Sequence, residues 1–322
     1  MLYTVDVLVV SNADRVVFPE VNKTKGDVVA YYERVASRAL PHLAGRLLSI
    51  KRFPKGLAGA GFFQKNVPDH YPASIARVPV PRSKQASKKH KDPEQKERDV
   101  TVYPVIGELE HLPYLGNQGA IELHMCTSKV PELFVPDRVI LDLDPPPGAF
   151  ELVRKAAFIA RDGLLEFGLP SAAVATGSKG YHVIAPISGS IDAAAIAATM
   201  QKLGALLTSR HPDVLTTTFR IANRGGKVFV DWLRNNPGAT VVSPYSLRAT
   251  PRATVATPLA WDELETTAPD AFTIDDAQRL LDRPDPLIDL KPTDVAPFVA
   301  AVEEAFTRSG LVMEAFDRFR AS

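Results

Sequence analysis

The sequence predicts an α+β domain, a sheet of short strands with helices packed on one side. Apolar runs of strand length end on carboxylates, at Val139-Ile-Leu-Asp-Leu-Asp144 and Lys227-Val-Phe-Val-Asp231. Between them lie two helical stretches, over 150–167 and 191–208, with apolar residues at three- and four-residue spacing. A glycine-bearing turn, Thr176-Gly-Ser-Lys-Gly-Tyr-His182, separates two short apolar runs.

In chain order, residues 3–10 read as a strand, and Thr24 can cap a helix over 25–39. Residues 46–52 and 60–65 read as a strand pair around a Gly-rich turn. Residues 82–99 are lysine-rich without an apolar period, which predicts an exposed loop. A strand resumes over 100–105, a short helix and turn over 107–116, and strands over 121–125 and 139–143. Gly168 and Pro170 stop the helix over 150–167. Runs 172–175 and 181–186 form a hairpin, and further strands are expected over 227–232 and 239–242. After Pro258 the tail reads as mostly helical, broken at Pro269, Pro284, Pro286 and Pro292. The strand–helix–hairpin–helix–strand order over 137–232 is that of a ferredoxin-like or RNA-recognition-type (RRM) core.

The 322 residues, 45% hydrophobic, suffice for one large or two smaller cores. No apolar run reaches the ~18 residues of a membrane span, and the N-terminus lacks the pattern of a signal peptide. The single cysteine, Cys126, excludes an internal disulfide. A soluble cytoplasmic protein is expected. Residues 1–100 hold 18 Lys and Arg against 10 Asp and Glu, while the remaining residues hold 20 against 27. A basic N-terminal third beside an acidic part is what a polyanion clamp joined to a metal site would show.

Asp142 and Asp144 stand two residues apart in a strand, so both point to one face. Like charges so placed are costly unless a cation sits between them, and hard divalent ions prefer carboxylate oxygen. Asp231 offers a third carboxylate. Gly177 and Gly180 let backbone N–H groups and Lys179 approach phosphate oxygens, with the Thr176 hydroxyl alongside. In Ser243-Pro-Tyr-Ser-Leu-Arg248 the arginine's planar fork suits a triphosphate. Arg224 sits in a flexible Asn-Arg-Gly-Gly segment. Lys25 begins a helix, where the dipole favours phosphate, and Arg15 precedes it closely. Phe62 and Phe63 are adjacent in a strand, so at most one is expected in the core and the other exposed for base stacking, worth ~1–3 kcal/mol per base. The structural alternatives are a solvated Asp pair, an ordinary hairpin loop, and His124 and His182 satisfied within the protein.

These stretches together resemble the polymerase domain of bacterial ATP-dependent DNA ligase D, in the archaeo-eukaryotic primase superfamily. Ser11-Asn-Ala-Asp-Arg-Val-Val-Phe-Pro19 with Thr24-Lys25, Lys51-Arg-Phe-Pro54, Gly61-Phe-Phe-Gln-Lys65 and Ile121-Glu-Leu-His124 agree as well, over roughly residues 5–265. The resemblance implies a primase-like fold: an RRM-like catalytic sheet with an N-terminal DNA-binding α/β part. The corresponding organisation is a catalytic domain over 1–265, divided into a basic part (1–135) and a core (136–265), with a helical extension over 266–322 packed on it. It also implies two metal ions, manganese or magnesium, held by Asp142, Asp144 and Asp231. Nucleotide contacts fall to His124, Thr176, Lys179, His182, Arg224 and Arg248. A DNA 5′-phosphate falls to Arg15 and Lys25, and template contacts to Arg52, Phe53, Phe62, Phe63 and Lys65.

The chain departs from the family pattern in three places. Thr-Gly-Ser-Lys replaces Ser-Gly-Gly-Lys, which stiffens the turn. Where a Gln is common beyond the third carboxylate the chain has Arg234, followed by Asn235. The loop over 82–99 is longer and richer in lysine. No nuclease domain or ligase nucleophile motif follows, so a stand-alone member is expected.

The function expected is template-dependent nucleotidyl transfer in DNA repair. It would fill gaps or extend ends of broken duplex DNA with a 5′-phosphate, use NTP or dNTP with a preference for ribonucleotides, and work with Ku and a ligase in trans near the nucleoid. Two other classes share features with it. Asp-x-Asp also serves metal-dependent glycosyltransferases, against which the third carboxylate and the basic N-terminal third speak. A catalytically inactive DNA-end-binding protein would keep the fold without the acidic triad.

Overall fold

The computed structural model describes residues 8–81 and 100–313. The loop expected over 82–99, and residues 3–7 of the first expected strand, lie outside them; residues 8–10 form no strand.

The strands are β1 (Val16–Phe18), β2 (Lys23–Thr24), β3 (Leu48–Arg52), β4 (Phe62–Gln64), β5 (Ala76–Pro81), β6 (Val100–Val105), β7 (Ala120–Cys126), β8 (Arg138–Asp144), β9 (Ala172–Ala175), β10 (Tyr181–Ser188), β11 (Leu215–Thr216), β12 (Val228–Asp231), β13 (Thr240–Val242), β14 (Thr257–Leu259) and β15 (Thr293–Asp294). The helices are α1 (Lys25–Leu43), α2 (His111–Asn117), α3 (Phe150–Glu166), α4 (Ala193–Arg210), α5 (Ala277–Asp282), α6 (Pro286–Asp289) and α7 (Val295–Ser309).

The larger sheet has the order β11-β12-β8-β10-β9-β14, with β15 beside β10. Its centre, β12-β8-β10-β9, pairs antiparallel throughout and is linked by α3 and α4, the arrangement of a β-α-β-β-α-β unit. Strand β8 is apolar on alternate positions: Val139, Leu141 and Leu143 are buried, while Asp142 and Asp144 share the opposite face. Helices α3 and α4 pack on β8, β10 and the β12 side. Ala156, Ala160 and Gly163 give α3 a narrow buried stripe, and a side chain at Gly163 would strike Leu207 of α4 at 2.5 Å. The smaller sheet, β13-β7-β3-β4, carries Arg52 on β3 and Phe62 and Phe63 on β4, while Arg15 and Lys25 lie outside it.

Thr24 caps α1 with a reciprocal box: its hydroxyl accepts from the Asp27 N–H (3.2 Å), and the Asp27 carboxylate accepts from the Thr24 N–H (2.7 Å). Helix α1 runs four residues past the expected end because Val28, Tyr32, Val35, Ala36, Ala39 and Leu43 keep the buried stripe going. A contiguous core joins residues from Val17 to Phe306. No helix among the described residues is long and apolar enough to cross a membrane.

Three local expectations are corrected. Strand β5 was not expected, because Pro79 and Pro81 argue against a strand; among the described residues β5 pairs with β6 alone, where a proline can lack its donor. Pro286 does not break a helix but starts α6, whose first N–H groups are capped by Asp285. The tail also contributes strand β14 to the large sheet.

Candidate active site

The acidic cluster is built by strand register. Asp142 lies opposite Asp231 on one side and opposite His182 on the other. A buried amide holds the Asp231 end in place. Asn235 accepts from the Ile140 N–H (2.9 Å) and donates to the Ile140 and Trp232 carbonyls (2.7 and 2.8 Å). The Leu233 N–H donates to the Asp231 carboxylate (2.9 Å). Asp144 leans outward, where the Arg224 guanidinium (3.0 Å) and the Lys179 ammonium (3.4 Å) meet it.

The electrostatics show strain. Burial, reinforced by the Asp142 carboxylate, pushes Asp231 up to about 6. Burial and Asp144 raise Asp142 as well, against the pull of Arg234. Arg234 stands between the two, its Nε 3.2 Å from Asp142 and 3.1 Å from Asp231. Burial and the neighbouring arginines lower His182 to about 3, so its imidazole is neutral. Its Nε2 is 3.6 Å from Asp142, and its buried Nδ1 has no hydrogen-bond partner among the described residues.

Among the described residues no three Asp, Glu, His or Cys side chains form a ready-made metal cage. The donor set nevertheless suits a hard cation: closely placed carboxylates with raised proton affinity, already holding a guanidinium between two of them.

The Thr176–His182 turn faces the cluster. The Thr176 hydroxyl donates to the Gly180 carbonyl (2.8 Å). A Cβ at Gly180 would sit 2.0 Å from the Leu143 carbonyl, so only glycine fits against β8. Gly177 has φ +67°, and its Cβ would meet Arg248 at 2.7 Å. Ser178, the departure from the double glycine, is not among the left-handed residues and is accommodated without strain.

Arg248 reaches the same cavity, its guanidinium donating to the Thr176 carbonyl (2.5 Å). Its turn is held by Tyr245 in a left-handed conformation (φ 62°). The Tyr245 hydroxyl donates to buried Asp285 (2.9 Å), which also meets His42 (2.8 Å).

One cavity is lined by His124, Asp142, Asp144, Thr176, Lys179, His182, Asp231, Arg234 and Arg248. Arg224 joins through Asp144. Two residues of this region escaped the sequence reading. Glu122 is the buried hub for His124 (2.9 Å), Lys51 (3.2 Å), the Ala249 N–H (3.0 Å) and Arg248 (3.5 Å). Against the cost of burial, His124, Arg248 and that N–H hold its carboxyl down at about 2. Its two-residue spacing from His124 was the available signal. Arg234 was noted only as a departure, although three residues beyond Asp231 it can fold back on that carboxylate.

The N-terminal candidates divide. Arg15 and Lys25 line one small pocket with Phe53. The Lys25 ammonium turns inward to the Ser11 carbonyl and hydroxyl (2.6 and 2.8 Å), and burial followed by Arg15 lowers its proton affinity. Arg15 donates to the Pro54 carbonyl (2.5 Å). Phe62 is 48% exposed and Phe63 54%, so neither joins the core and both rings are open to solvent. Strand β4 is an edge strand, and Arg52 lies over Phe62 (5.8 Å) while Lys51 lies over Phe63 (5.9 Å). Phe63 packs edge-on to His124 (5.2 Å) and, with exposed Lys65, lines a larger neighbouring groove. Arg52 is tied to the Gln118 carbonyl (2.8 Å) and to Gln64 (2.6 Å). Phe53 is half-buried.

Comparison with known proteins gives a consistent result. The profile of the LigD primase-polymerase domain matches residues 24–288. The chain is 31% identical over 262 residues to the multifunctional non-homologous end joining protein LigD of Mycolicibacterium smegmatis, covering 79% of this chain and 32% of that protein. It is 30% identical over 270 residues to the bifunctional non-homologous end joining protein LigD of Bacillus subtilis, covering 82% and 41%. The chain thus spans a third to two-fifths of these relatives' length. Among solved structures, the polymerase domain from Mycobacterium tuberculosis ligase D in complex with DNA superposes with a TM-score of 0.77 at 30% identity, covering 88% of this chain and 98% of that one.

Proposed function

The chain belongs to the LigD primase-polymerase domain family, and from that premise we propose that it is a template-dependent nucleotidyltransferase acting on broken or gapped DNA in end joining. The observation that carries the reading is the register that sets Asp142 opposite both Asp231 and His182, beside the glycine turn at Thr176–His182.

Asp142, Asp144 and Asp231 would hold two divalent ions, manganese or magnesium. Such ions activate a 3′-hydroxyl and neutralise charge on the triphosphate. Lys179, Arg224 and Arg248 bring cations to the same cavity edge and would orient the phosphates, with backbone N–H groups freed by Gly177 and Gly180. Neutral His182 and the Glu122-oriented His124 supply ring nitrogens without adding charge. Exposed Phe62 and Phe63, backed by Arg52, Phe53 and Lys65, offer faces for template bases. Arg15 and Lys25 would meet a 5′-phosphate once Lys25 leaves its Ser11 partners. Ku, a ligase acting in trans, a ribonucleotide preference and a cytoplasmic, nucleoid-associated setting complete the proposal.

Primer extension on a gapped duplex with a 5′-phosphate, in manganese, tests it. Nucleotide addition is expected, falling more than about a thousandfold in Asp142→Asn. A folded protein that extends no primer with any ribo- or deoxyribonucleotide would overturn the reading.

A further inference from the structure

Three carboxylates and three basic side chains meet at one strand end. Arg234 faces Asp142 and Asp231, while Arg224 and Lys179 face Asp144. The protein balances the charge of this cluster by itself. The basic groups are not equivalent. Arg224 is pinned: its side chain is 13% exposed, it donates to the Thr218 and Phe219 carbonyls, and it lies 4.0 Å over the Phe229 ring. Lys179 is 57% exposed, and among the described residues its ion pair is with the outward Asp144.

Arg234 combines both properties. It sits on a backbone turn, Trp232–Asn235, clamped to β8 by buried Asn235. Its side chain is 42% exposed, and one nitrogen is shared by two carboxylates. The arm can therefore leave without disturbing the turn. It lines the same cavity as Lys179 and Arg248, so a triphosphate bound there would offer it new acceptors.

We propose that Arg234 is a resident cation that fills the space between Asp142 and Asp231 in the metal-free protein, and that it must swing out before a divalent ion enters. The inference rests on the metal-site reading above. A guanidinium and a divalent ion compete for the same carboxylate oxygens, so Arg234 weakens metal binding when no nucleotide is present. A triphosphate supplies negative charge that can receive the displaced arm, so nucleotide and metal binding reinforce one another through this residue. The reinforcement is reciprocal: whatever factor nucleotide adds to metal affinity, metal adds to nucleotide affinity. The device would keep the acidic site closed to stray ions until a substrate arrives.

The test is Mn2+ binding to the whole chain without nucleotide, followed by electron paramagnetic resonance of the free ion. Wild type, Arg234→Gln, Arg234→Lys and Asp142→Asn are compared, with circular dichroism checking each fold. Arg234→Gln is expected to bind Mn2+ about tenfold more tightly than wild type, since a charge-assisted competitor is gone. Arg234→Lys is expected to lie between them, because an ammonium keeps the positive charge but is more strongly hydrated than a guanidinium and leaves the two acids more readily. Adding a non-hydrolysable triphosphate is expected to tighten Mn2+ binding by a larger factor in wild type than in Arg234→Gln. Equal or weaker Mn2+ binding in Arg234→Gln, while Asp142→Asn loses binding, overturns this inference and leaves the metal site standing. Unchanged binding in Asp142→Asn overturns the metal-site reading itself.

Discussion

Two groups of buried charge in this molecule use the same chemistry to opposite ends. At the strand ends, Asp142 and Asp231 are pushed toward protonation by burial and by their neighbours, and their one shared cation sits on a movable arm. Behind the Arg248 turn, Asp285 is buried more completely than either of them, yet four hydrogen-bond donors meet its carboxylate. It accepts from His42, from the Tyr245 hydroxyl and from the Leu287 and Ile288 N–H groups, and these partners lower its proton affinity against the cost of burial. Asp285 thus serves as a fastener joining α1, the Arg248 turn and α6, whereas Asp142 and Asp231 share one half-exposed guanidinium. Burial alone does not distinguish a structural acid from a functional one; the direction of the shift and the number of fixed partners do.

Removing one acid from each group gives the largest contrast. Asp285→Ala leaves His42, Tyr245 and two helix N–H groups without their acceptor, and a stability loss of about 3 kcal/mol or more is expected. Asp142→Asn removes a charge that its surroundings disfavour, so the loss is expected to stay within about 0.5 kcal/mol. Urea unfolding of both variants, free of metal, measures the difference. Similar losses would mean that the strand-end acids are fasteners too.

Acid sharpens the same contrast. Burial, set against the pull of Asp285, lowers the His42 pKa, and His111, His124 and His182 are likewise lowered chiefly by burial. The unfolded chain takes up protons near pH ~6.5, where these folded histidines do not. Stability from this source is therefore complete above that pH and falls as the pH drops toward the folded values. Asp285 adds a loss of the same sign at lower pH, below the ordinary carboxylate range. His42→Gln is expected to flatten part of the decline between pH ~6.5 and 5 in melting temperature. A slope identical to wild type would show that His42 is not held neutral in the fold.

Much of the site was legible because it is local. The Asp-x-Asp alternation, the glycine turn and the Thr24 cap each declare themselves within a few residues, and the α-β-β-α order between Asp142 and Asp231 follows from periodicity. What stayed hidden depends on register or on distant pairing. His42 and Asp285 are 243 residues apart in sequence and nothing local marks them as partners. Glu122 looked like an ordinary strand residue until β7 placed it beside Arg248 and Ala249. Strand β5 was masked by its prolines, and the exposure of both Phe62 and Phe63 depends on the edge position of β4, which alternation alone does not reveal.

The smallest expected effect concerns Ser178, in the glycine turn that faces the acidic cluster. Were its backbone left-handed, the serine would cost stability and glycine would relieve it. Its neighbour Gly177 takes the positive φ instead, and Ser178 stays outside that region. Serine then narrows the unfolded ensemble at no cost to the fold. Ser178→Gly is accordingly expected to lower stability by about 0.5 kcal/mol through the added freedom of the unfolded chain. The companion effect is a modest rise in the nucleotide KM, since a looser turn must be ordered before Lys179 and the backbone N–H groups meet phosphate. A higher melting temperature in Ser178→Gly would reverse the assignment and make the turn a second place, besides the acidic cluster, where the fold holds strain for its substrate.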